Sequence, residues 1–187
     1  MAEHFDIVDE NNNLLGKKKS RADVHRDGDW HREIHVFVLN KNNEFLCNKR
    51  SATKDFFPNH WDTVCGGHVD PGETYESAAL RELKEEIGIN ANESDLIPLE
   101  TVKYTEEFPE KHFKNHTFRR VFLYKAELKL HSLKAQKEEV SELKFFPIPV
   151  LKKLVKKHDG AMPFWPRPDY DMYFLEKIEK FLTRTSA

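Results

Sequence analysis

The sequence predicts a mixed α/β fold in which a mixed β-sheet lies between helices. Short apolar segments, separated by clusters of Asn, Asp, Gly and Pro, recur along the 187 residues and are typical of strands. One longer segment near the middle lacks Pro and Gly and is rich in Ala, Leu, Glu and Lys, which favours a helix. A chain of this length can bury a substantial core, so we predict a single domain over residues 1–187.

The first elements are predicted to be strands. Phe5–Val8 and Leu14–Lys18 flank the turn-forming run Asp-Glu-Asn-Asn-Asn, which indicates an N-terminal β-hairpin within residues 1–30. His31–Asn40 alternates between polar and apolar residues and then becomes apolar. Glu44–Arg50 follows after a Lys-Asn-Asn turn, so these two segments are expected to pair.

A helix is predicted from Thr74 to Ile87. Leu80, Leu83 and Ile87 recur at spacings of three and four, which marks one buried stripe. Thr74 is a suitable N-cap residue, and Gly88 suits the left-handed position at which many helices end.

The second half of the chain is predicted to add strands and two helices. The strands are expected at Asp95–Tyr104, Phe118–Leu130 and Leu143–Phe146, the first two separated by a polar segment. Pro147–Lys157 is predicted to be a helix that begins at proline. Residues 159–187 are expected to form a C-terminal helical extension, which is amphipathic from Asp171 to Leu182.

The segment from Gly67 to Ile89 carries acidic residues at helical spacing. Glu82, Glu85 and Glu86 lie at i, i+3 and i+4, so their carboxylates share one helix face. Like charges at this spacing repel by about 0.2–0.5 kcal/mol per pair. A divalent cation would relieve the repulsion, and ligands that are all oxygen suit Mg²⁺ or Mn²⁺. The alternative is a solvated helix face, which is the commonest fate of such a charge run.

The loop before this helix suits the binding of a metal–diphosphate. Gly66 and Gly67 follow the strand-like segment Trp61–Cys65, and residues 70–72 form the turn sequence Asp-Pro-Gly. A strand, a tight loop and a helix in this order place backbone carbonyls and amides beside the acidic face.

The whole segment fits the pattern G-x5-E-x7-R-E-U-x-E-E-x-G-U without a gap, where U is a bulky aliphatic residue. The fixed positions are Gly67, Glu73, Arg81, Glu82, Glu85, Glu86 and Gly88. This pattern resembles the signature of the Nudix hydrolases, which cleave a nucleoside diphosphate linked to another group. The resemblance implies the Nudix α/β/α sandwich, with a core over about residues 32–158.

The resemblance also implies roles for individual residues. The carbonyl of Gly67 would be a metal ligand, and Glu73 and Arg81 would form a structural pair that orients the glutamates. The catalytic metal ligands would be Glu82, Glu85 and Glu86. The bound cations, Mg²⁺ or Mn²⁺ in its place, would bridge the diphosphate and lower the pKa of the attacking water.

The motif leaves the general base and the substrate contacts open. The first base candidates are Glu138 and Glu139, which precede a predicted strand; the second are Glu106, Glu107 and Glu110. Taken singly, each of these residues is more often an ordinary surface glutamate than a general base. Arg50 and Lys54 are candidates for binding phosphate, or for a surface role. Alternation would point only one of Arg119 and Arg120 inward. The aromatic residues that would stack on a base, or belong to the core, are Phe56, Phe57, Trp61, Phe108 and Phe113.

A narrower resemblance connects the chain to the Nudix branch of isopentenyl diphosphate isomerase. It rests on the segments 21–25, 30–35, 50–54 and 61–68 and on the N-terminal hairpin. In the isomerases a cysteine just before a Gly-His element is catalytic, and Cys65 falls there, one glycine further from His68. His31 and His68 resemble positions that contribute metal ligands in the isomerase.

Two departures favour hydrolysis over isomerisation. The isomerases have an eroded glutamate motif, whereas the motif here is intact, and they need a second acid that the segment Asn115–Arg120 lacks. We therefore predict a hydrolase, with Cys65 as a small buried residue and with His31, His35 and His68 in core or hydrogen-bonding roles. An isomerase-like enzyme that uses Cys65 is the alternative. A binding module without catalysis is a third hypothesis, against which the complete set of glutamates argues.

The composition of the chain limits the kinds of partner it is expected to bind. A net charge of −2 and a pI near 6.6 give no basic excess for nucleic acid. No apolar run approaches the roughly 20 residues that cross a bilayer, and the acidic N-terminus has no signal-peptide core. Cys47 and Cys65 do not make a disulfide framework. We expect a cytoplasmic enzyme that acts on a small-molecule diphosphate. The aromatic residues from Phe164 to Phe174 would pack the last helix onto the domain or form a homodimer surface.

Overall fold

Nine strands and four α-helices make a mixed α/β fold within residues 3–157 and 162–185, the part of the chain that the computed structural model describes. The helices are α1 (Arg21–Asp27), α2 (Tyr75–Ile87), α3 (Ile148–Lys157) and α4 (Pro168–Thr185). The strands are β1 (His4–Val8), β2 (Leu14–Ser20), β3 (Trp30–Leu39), β4 (Glu44–Arg50), β5 (Trp61–Asp62), β6 (Cys65–His68), β7 (Leu96–Phe108), β8 (Phe113–Lys125) and β9 (Val140–Pro147). The predicted fold class, with its N-terminal hairpin and C-terminal helix, is confirmed.

The strands form two sheets. Strands β1 and β2 pair antiparallel, with Phe5 opposite Lys19. The other seven strands form one mixed sheet in the order β5-β4-β3-β8-β7, in which β6 pairs with β3 and β9 pairs with β4. Strand β4 pairs antiparallel with β3 and with β9. Phe45 lies opposite Leu39 in β3 and opposite Phe146 in β9.

The chain divides into two compact units. The first consists of Met1–Val36, Gly66–Glu82 and Ala91–Phe122. The second consists of Phe37–Cys65, Leu83–Asn90 and Leu123–Ala187. Strands β3 and β8 and helix α2 have residues in both.

Each unit has buried apolar residues of its own. In the first, Phe5, Ile7 and Val24 form a cluster that packs β1 against α1. In the second, the ring centroid of Phe37 lies 5.7 Å from that of Phe174 in α4. Burial of one such side chain stabilises the fold by about 1.5–3 kcal/mol.

Helix α1 is absent from the sequence prediction, which places only a hairpin in residues 1–30. The Oγ of Ser20 accepts a hydrogen bond from the backbone N–H of Asp23 at 3.2 Å, and the helix ends at Gly28 with φ +76°. These are ordinary capping residues. A helix of seven residues is too short to show an apolar period, so the pattern alone does not reveal it.

Several strand boundaries also differ from the prediction. The predicted strand Trp61–Cys65 is divided into β5 and β6, because the Asp62 carboxylate accepts from the Val64 backbone N–H at 3.2 Å and turns the chain. Strands β7 and β8 extend through the polar segment between them and are joined by a short 3₁₀ turn, Pro109–Lys111. The polarity arises because alternate residues of β7 face solvent. Strand β8 ends at Lys125 and not at Leu130.

The C-terminal elements follow the predicted order. Helix α3 begins one residue later than predicted, and α4 is longer than the predicted amphipathic segment. The predicted boundary between core and extension falls in residues 158–161, outside the described residues. Phe164 and Phe174 are buried, whereas Tyr173 is 49% exposed. Among the described helices, none has the length and apolar character required to span a bilayer.

Candidate active site

Both ends of helix α2 are fixed by the residues that the sequence suggests. The Oγ1 of Thr74 accepts a hydrogen bond from the Ser77 backbone N–H at 3.0 Å, and the Thr74 backbone N–H donates to the Ser77 Oγ at 3.0 Å. At the other end Gly88 adopts φ +72°, and the Ile89 backbone N–H donates to the Leu83 carbonyl at 2.9 Å. This capping holds the helix in register with its flanking loops.

The helix buries one face and exposes part of the other. Ala79, Leu83 and Ile87 are fully buried. Leu80 is predicted to share this stripe but is only half-buried. Those buried residues follow one another at intervals of four from Ala79, and Leu80 lies beside that row. The glutamates behave differently from one another, since Glu85 is exposed whereas the other two are half-buried.

Arg81 connects the loop to the helix. Its Nε and Nη2 atoms donate to the two carboxylate oxygens of Glu73 at 3.1 and 3.0 Å, and its Nη1 donates to Glu82 at 2.7 Å. Nη2 also donates to the backbone carbonyl of His68 at 2.9 Å. Burial opposes the charged form of Arg81, but the two carboxylates outweigh it and raise the pKa of the guanidinium above its ordinary value. Arg81 thus fixes both the strand end and the orientation of Glu82.

Gly67 lies directly against a glutamate. A Cβ placed on Gly67 would lie 2.6 Å from the Cδ of Glu82, so any side chain there would displace that carboxylate. The close approach brings loop backbone and a carboxylate oxygen side by side. A donor set made of oxygen only fits a hard divalent cation such as Mg²⁺ or Mn²⁺.

The N-terminal hairpin contacts the motif, which the sequence does not reveal. The Asp6 carboxylate accepts from the Gly72 backbone N–H at 3.1 Å. Asn12 donates to the Tyr75 hydroxyl at 3.1 Å and accepts from the Arg32 Nε at 2.8 Å. These bonds link the hairpin to the turn and to the first residue of α2.

The loop that carries the first base candidates is bonded to the end of α2. The Gln136 backbone N–H donates to the Glu86 carbonyl at 3.0 Å. Further along the loop, Glu139 forms an ion pair with Lys54, and Glu138 is exposed. The second-rank candidates belong to β7 and to the turn after it: Glu106, Glu107 and Glu110.

The two candidates for phosphate binding have different surroundings. The guanidinium of Arg50 stacks on the Trp165 ring at 4.4 Å, and its Nε donates to the Phe56 carbonyl at 3.1 Å. Burial lowers the pKa of Arg50 below its ordinary value. Within the described residues the two Nη groups of Arg50 make no hydrogen bond. Lys54 is engaged by Glu139 instead.

The aromatic residues named as base platforms differ in accessibility. Trp61 is 3% exposed and belongs to the core. Phe113 stacks on His25, with ring centroids 4.3 Å apart. The remaining three are half-buried: Phe56, Phe57 and Phe108.

A group of three histidines in the first unit was not predicted as a cluster. His25, His31 and His68 offer ring nitrogens that all lie within 4.8 Å of one another. Phe5 stacks on His68 at 4.2 Å, and Phe113 covers His25. Burial lowers the pKa of each ring, that of His25 to about 4, so the rings are neutral at pH 7. The three residues are far apart in sequence, which hides the group from spacing arguments.

A buried carboxylate lies beside this group. Glu33 in β3 is 8% exposed and accepts from Arg119 at 2.9 Å and from Thr117 at 3.1 Å. Asn115 donates to its other oxygen at 3.1 Å. Of the two arginines in β8, Arg119 points inward at 3% exposure, while Arg120 is half-buried. Glu33 escaped sequence reasoning because a lone glutamate in a strand resembles a surface residue.

Cys65, on which the isomerase-like alternative rests, is buried. Cys65 is 4% exposed at the start of β6, and Cys47 is also a buried free thiol. His35 is 7% exposed, and its ring would lie 2.9 Å from a Cβ placed on Gly66. His35 therefore packs against strand β6 at Gly66.

The NUDIX domain family model matches residues 29–165. Nudix hydrolase 3 of Arabidopsis thaliana is 32% identical over 176 residues, which cover 92% of this chain but 23% of that protein. An uncharacterized Nudix hydrolase of Clostridium acetobutylicum is 35% identical over 182 residues, 94% of this chain and 86% of the relative. An isopentenyl-diphosphate Delta-isomerase of Streptomyces griseus is 31% identical over 141 residues, 75% of this chain and 69% of the relative.

The fold likeness agrees with these matches. The crystal structure of DR0079 from Deinococcus radiodurans superposes with a TM-score of 0.68 at 21% identity, over 90% of this chain and 96% of that one. The family model covers well over half of the chain, and the intact motif occupies its centre. The chain therefore belongs to the Nudix hydrolase family.

Proposed function

We propose that this protein is a Mg²⁺-dependent hydrolase that cleaves the diphosphate linkage of a nucleoside diphosphate joined to another group. The observation that carries the proposal is the Arg81 network, which joins Glu73, Glu82 and the His68 carbonyl. This network holds the end of β6 and the turn after it against the acidic helix. A structural role alone would not require the unfavourable run of carboxylates that begins at Glu82.

The cation would be held by the carboxylates of Glu82, Glu85 and Glu86 and by the carbonyl of Gly67. When bound there, Mg²⁺, or Mn²⁺ in its place, would neutralise the diphosphate and lower the pKa of the attacking water. Glu73 and Arg81 touch neither substrate nor water in this account and act as positioning residues.

The proton of the attacking water would pass to a carboxylate of the loop after Ser132. Water oxygen would bond to one phosphorus while that phosphorus loses its bond to the bridging oxygen, which departs with the other phosphate; the water proton would pass to Glu139 or Glu138. The bond from Gln136 to the Glu86 carbonyl supports this assignment, because it fixes the loop to the metal-binding helix. Lys54 forms an ion pair with Glu139 and would orient its carboxylate.

Arg50 would bind a phosphate of the substrate. Its guanidinium is held by the Trp165 ring and the Phe56 carbonyl, which leaves the Nη groups available to donate to an oxyanion. Lys54, which is ion-paired with Glu139, is the second candidate for a phosphate contact.

The proposal is tested with a panel of diphosphates that includes nucleotide sugars, dinucleotide polyphosphates, nucleoside di- and triphosphates and isopentenyl diphosphate. Release of phosphate or nucleotide that requires Mg²⁺ is the expected result. Release from no member of the panel, at any Mg²⁺ or Mn²⁺ concentration, would contradict the proposal.

Isomerisation of a prenyl diphosphate is the second candidate. The group formed by His25, His31 and His68 favours it, because two of these positions resemble metal ligands of the isomerases. The absence of an acid from Asn115–Arg120 argues against it. Formation of dimethylallyl diphosphate without hydrolysis would establish this candidate in place of the first.

A cytoplasmic location and a small-molecule substrate complete the proposal. Both cysteines are buried thiols outside any disulfide, which fits a reducing compartment. The exposed Tyr173 of α4 is where a homodimer contact would form, since the neighbouring Phe174 is buried.

A further inference from the structure

The histidine group of the first unit presents three nitrogen atoms in one buried space. The Nε2 atoms of His25, His31 and His68 are buried and have no hydrogen-bond partner among the described residues. An unsatisfied buried nitrogen destabilises the fold, so three in one place are a substantial penalty unless something binds them.

The tautomer of His31 directs a lone pair into this space. Its Nδ1 lies 3.0 Å from the Asp29 carbonyl oxygen, which can only accept. Nδ1 therefore carries the proton and Nε2 carries the lone pair. A histidine fixed through Nδ1 to a backbone carbonyl is the usual arrangement of an imidazole that binds a metal through Nε2.

Glu33 approaches the same space from β3. Its Oε1 lies 3.3 Å from the Nε2 of His68, yet the geometry makes no hydrogen bond. Two ligand atoms bound at about 2.1 Å to one tetrahedral ion lie about 3.4 Å apart. The separation of Oε1 and Nε2 matches that of two ligands of one cation.

The second oxygen of Glu33 is held from outside this space. Oε2 accepts from Arg119 Nε at 2.9 Å and from Thr117 at 3.1 Å, and Arg119 Nη2 lies 2.7 Å away. Oε1 faces the histidines; it accepts from the Asn115 amide at 3.1 Å and keeps a further lone pair that could bind a cation. Such support orients a carboxylate that binds a metal.

We propose that Glu33 is the fourth ligand of a transition-metal centre completed by His25, His31 and His68. Two of the histidines resemble metal ligands of the isomerases, but the carboxylate comes from β3, whereas β8 supplies only the groups that orient it, Asn115, Thr117 and Arg119. Three imidazoles and one carboxylate suit Zn²⁺, Co²⁺ or Fe²⁺ better than Mg²⁺. With four protein ligands the centre is structural.

The centre would join three parts of the first unit. His25 lies in α1, His31 and Glu33 lie in β3, and His68 ends β6. A bound ion would tie the N-terminal helix to strand β6, which carries Gly66 and Gly67. This role is independent of hydrolysis at the glutamate face.

Titration of the chelator-stripped full-length protein with Co²⁺ tests the proposal in the presence of excess Mg²⁺, which occupies hard oxygen sites. The readouts are the visible absorption of four-coordinate Co²⁺ and the rise in melting temperature. We expect one Co²⁺ per chain for the wild type, loss of binding in His31→Asn, and at least tenfold weaker binding in Glu33→Gln. Glu3→Gln is the matched control, since Glu3 approaches His68 only at Nδ1, at 4.0 Å, and it should bind as the wild type does.

A double variant guards against misfolding, because Glu33→Gln leaves Arg119 buried without its counter-charge. Glu33→Gln with Arg119→Met removes both charges and should melt close to the metal-free wild type while still binding Co²⁺ at least tenfold more weakly. Wild-type affinity in this folded double variant would overturn the role of Glu33. A wild type that takes up no stoichiometric Co²⁺ would overturn the centre as a whole.

Discussion

Arg81 determines how the candidate active site is held. It satisfies two carboxylates and one carbonyl with three guanidinium nitrogens, which no lysine could do with the same geometry. Removal of Arg81 would leave Glu73 and Glu82 without their shared counter-charge. The acidic helix therefore depends on one residue that touches no reacting atom.

Gly67→Ala is expected to lower kcat by at least tenfold with little loss of stability. The new Cβ would meet the carboxylate of Glu82, and the side chain would have to turn away from the position that Arg81 gives it. Steady-state kinetics across Mg²⁺ concentrations, together with the melting temperature, checks this. An alanine variant with wild-type kinetics would show that the close contact has no catalytic role.

Cys65→Ala is expected to leave hydrolysis within about twofold of the wild type. Cys65 is 4% exposed, and a buried cysteine behaves as a small apolar residue that alanine can replace. Turnover of the diphosphate identified by the panel is the measurement. If the variant is inactive but folded, the isomerase-like reading with a catalytic cysteine has to be restored.

Helix α4 is anchored by a buried ionic network. Arg167 bonds both Asp62 and Asp171, and Thr63 donates to Asp171 at 2.9 Å. Burial raises the pKa of Asp171 from 3.8 to about 6, because the bonds from Arg167 and Thr63 offset only part of the desolvation of its carboxylate. The folded protein therefore binds a proton here more tightly than the unfolded chain does.

The stability of the wild type should consequently fall as pH rises from about 4 to about 6 and change little above that, as far as Asp171 is concerned. The difference between the two pKa values corresponds to about 3 kcal/mol. Asp171→Asn cannot ionise, so its stability relative to the wild type should improve by up to this amount over the same range. Urea unfolding at several pH values measures the difference.

Asp169→Asn is the matched control, because Asp169 lies in the same helical turn and is exposed. Its stability should run parallel to that of the wild type at every pH. Parallel curves for Asp171→Asn as well would show that Asp171 is not the group that titrates.

Across the whole molecule, the sequence predicted features that depend on neighbouring residues, such as helix caps, and missed contacts between residues far apart in the chain. The caps of α2 at Thr74 and Gly88 follow from residue types that act within one turn. Glu33 and its partner Arg119 lie 86 positions apart in sequence, so their pairing follows only from the alignment of β3 with β8. The histidine group depends on the same long-range alignment. Charged or histidine residues within single strands therefore predicted neither the Glu33–Arg119 pair nor the histidine group.

The most direct measurement of the central claim is Mg²⁺-dependent diphosphate cleavage by the wild type, Glu85→Gln, Glu86→Gln and the control Glu76→Gln. Glu76 lies in the first turn of α2, outside the proposed metal ligands. We expect both metal-ligand variants to fold normally and to lose several orders of magnitude in kcat, while Glu76→Gln stays within a few-fold of the wild type. Near-wild-type turnover in both Glu85→Gln and Glu86→Gln would contradict the assignment of the acidic helix face as the site of metal-dependent hydrolysis.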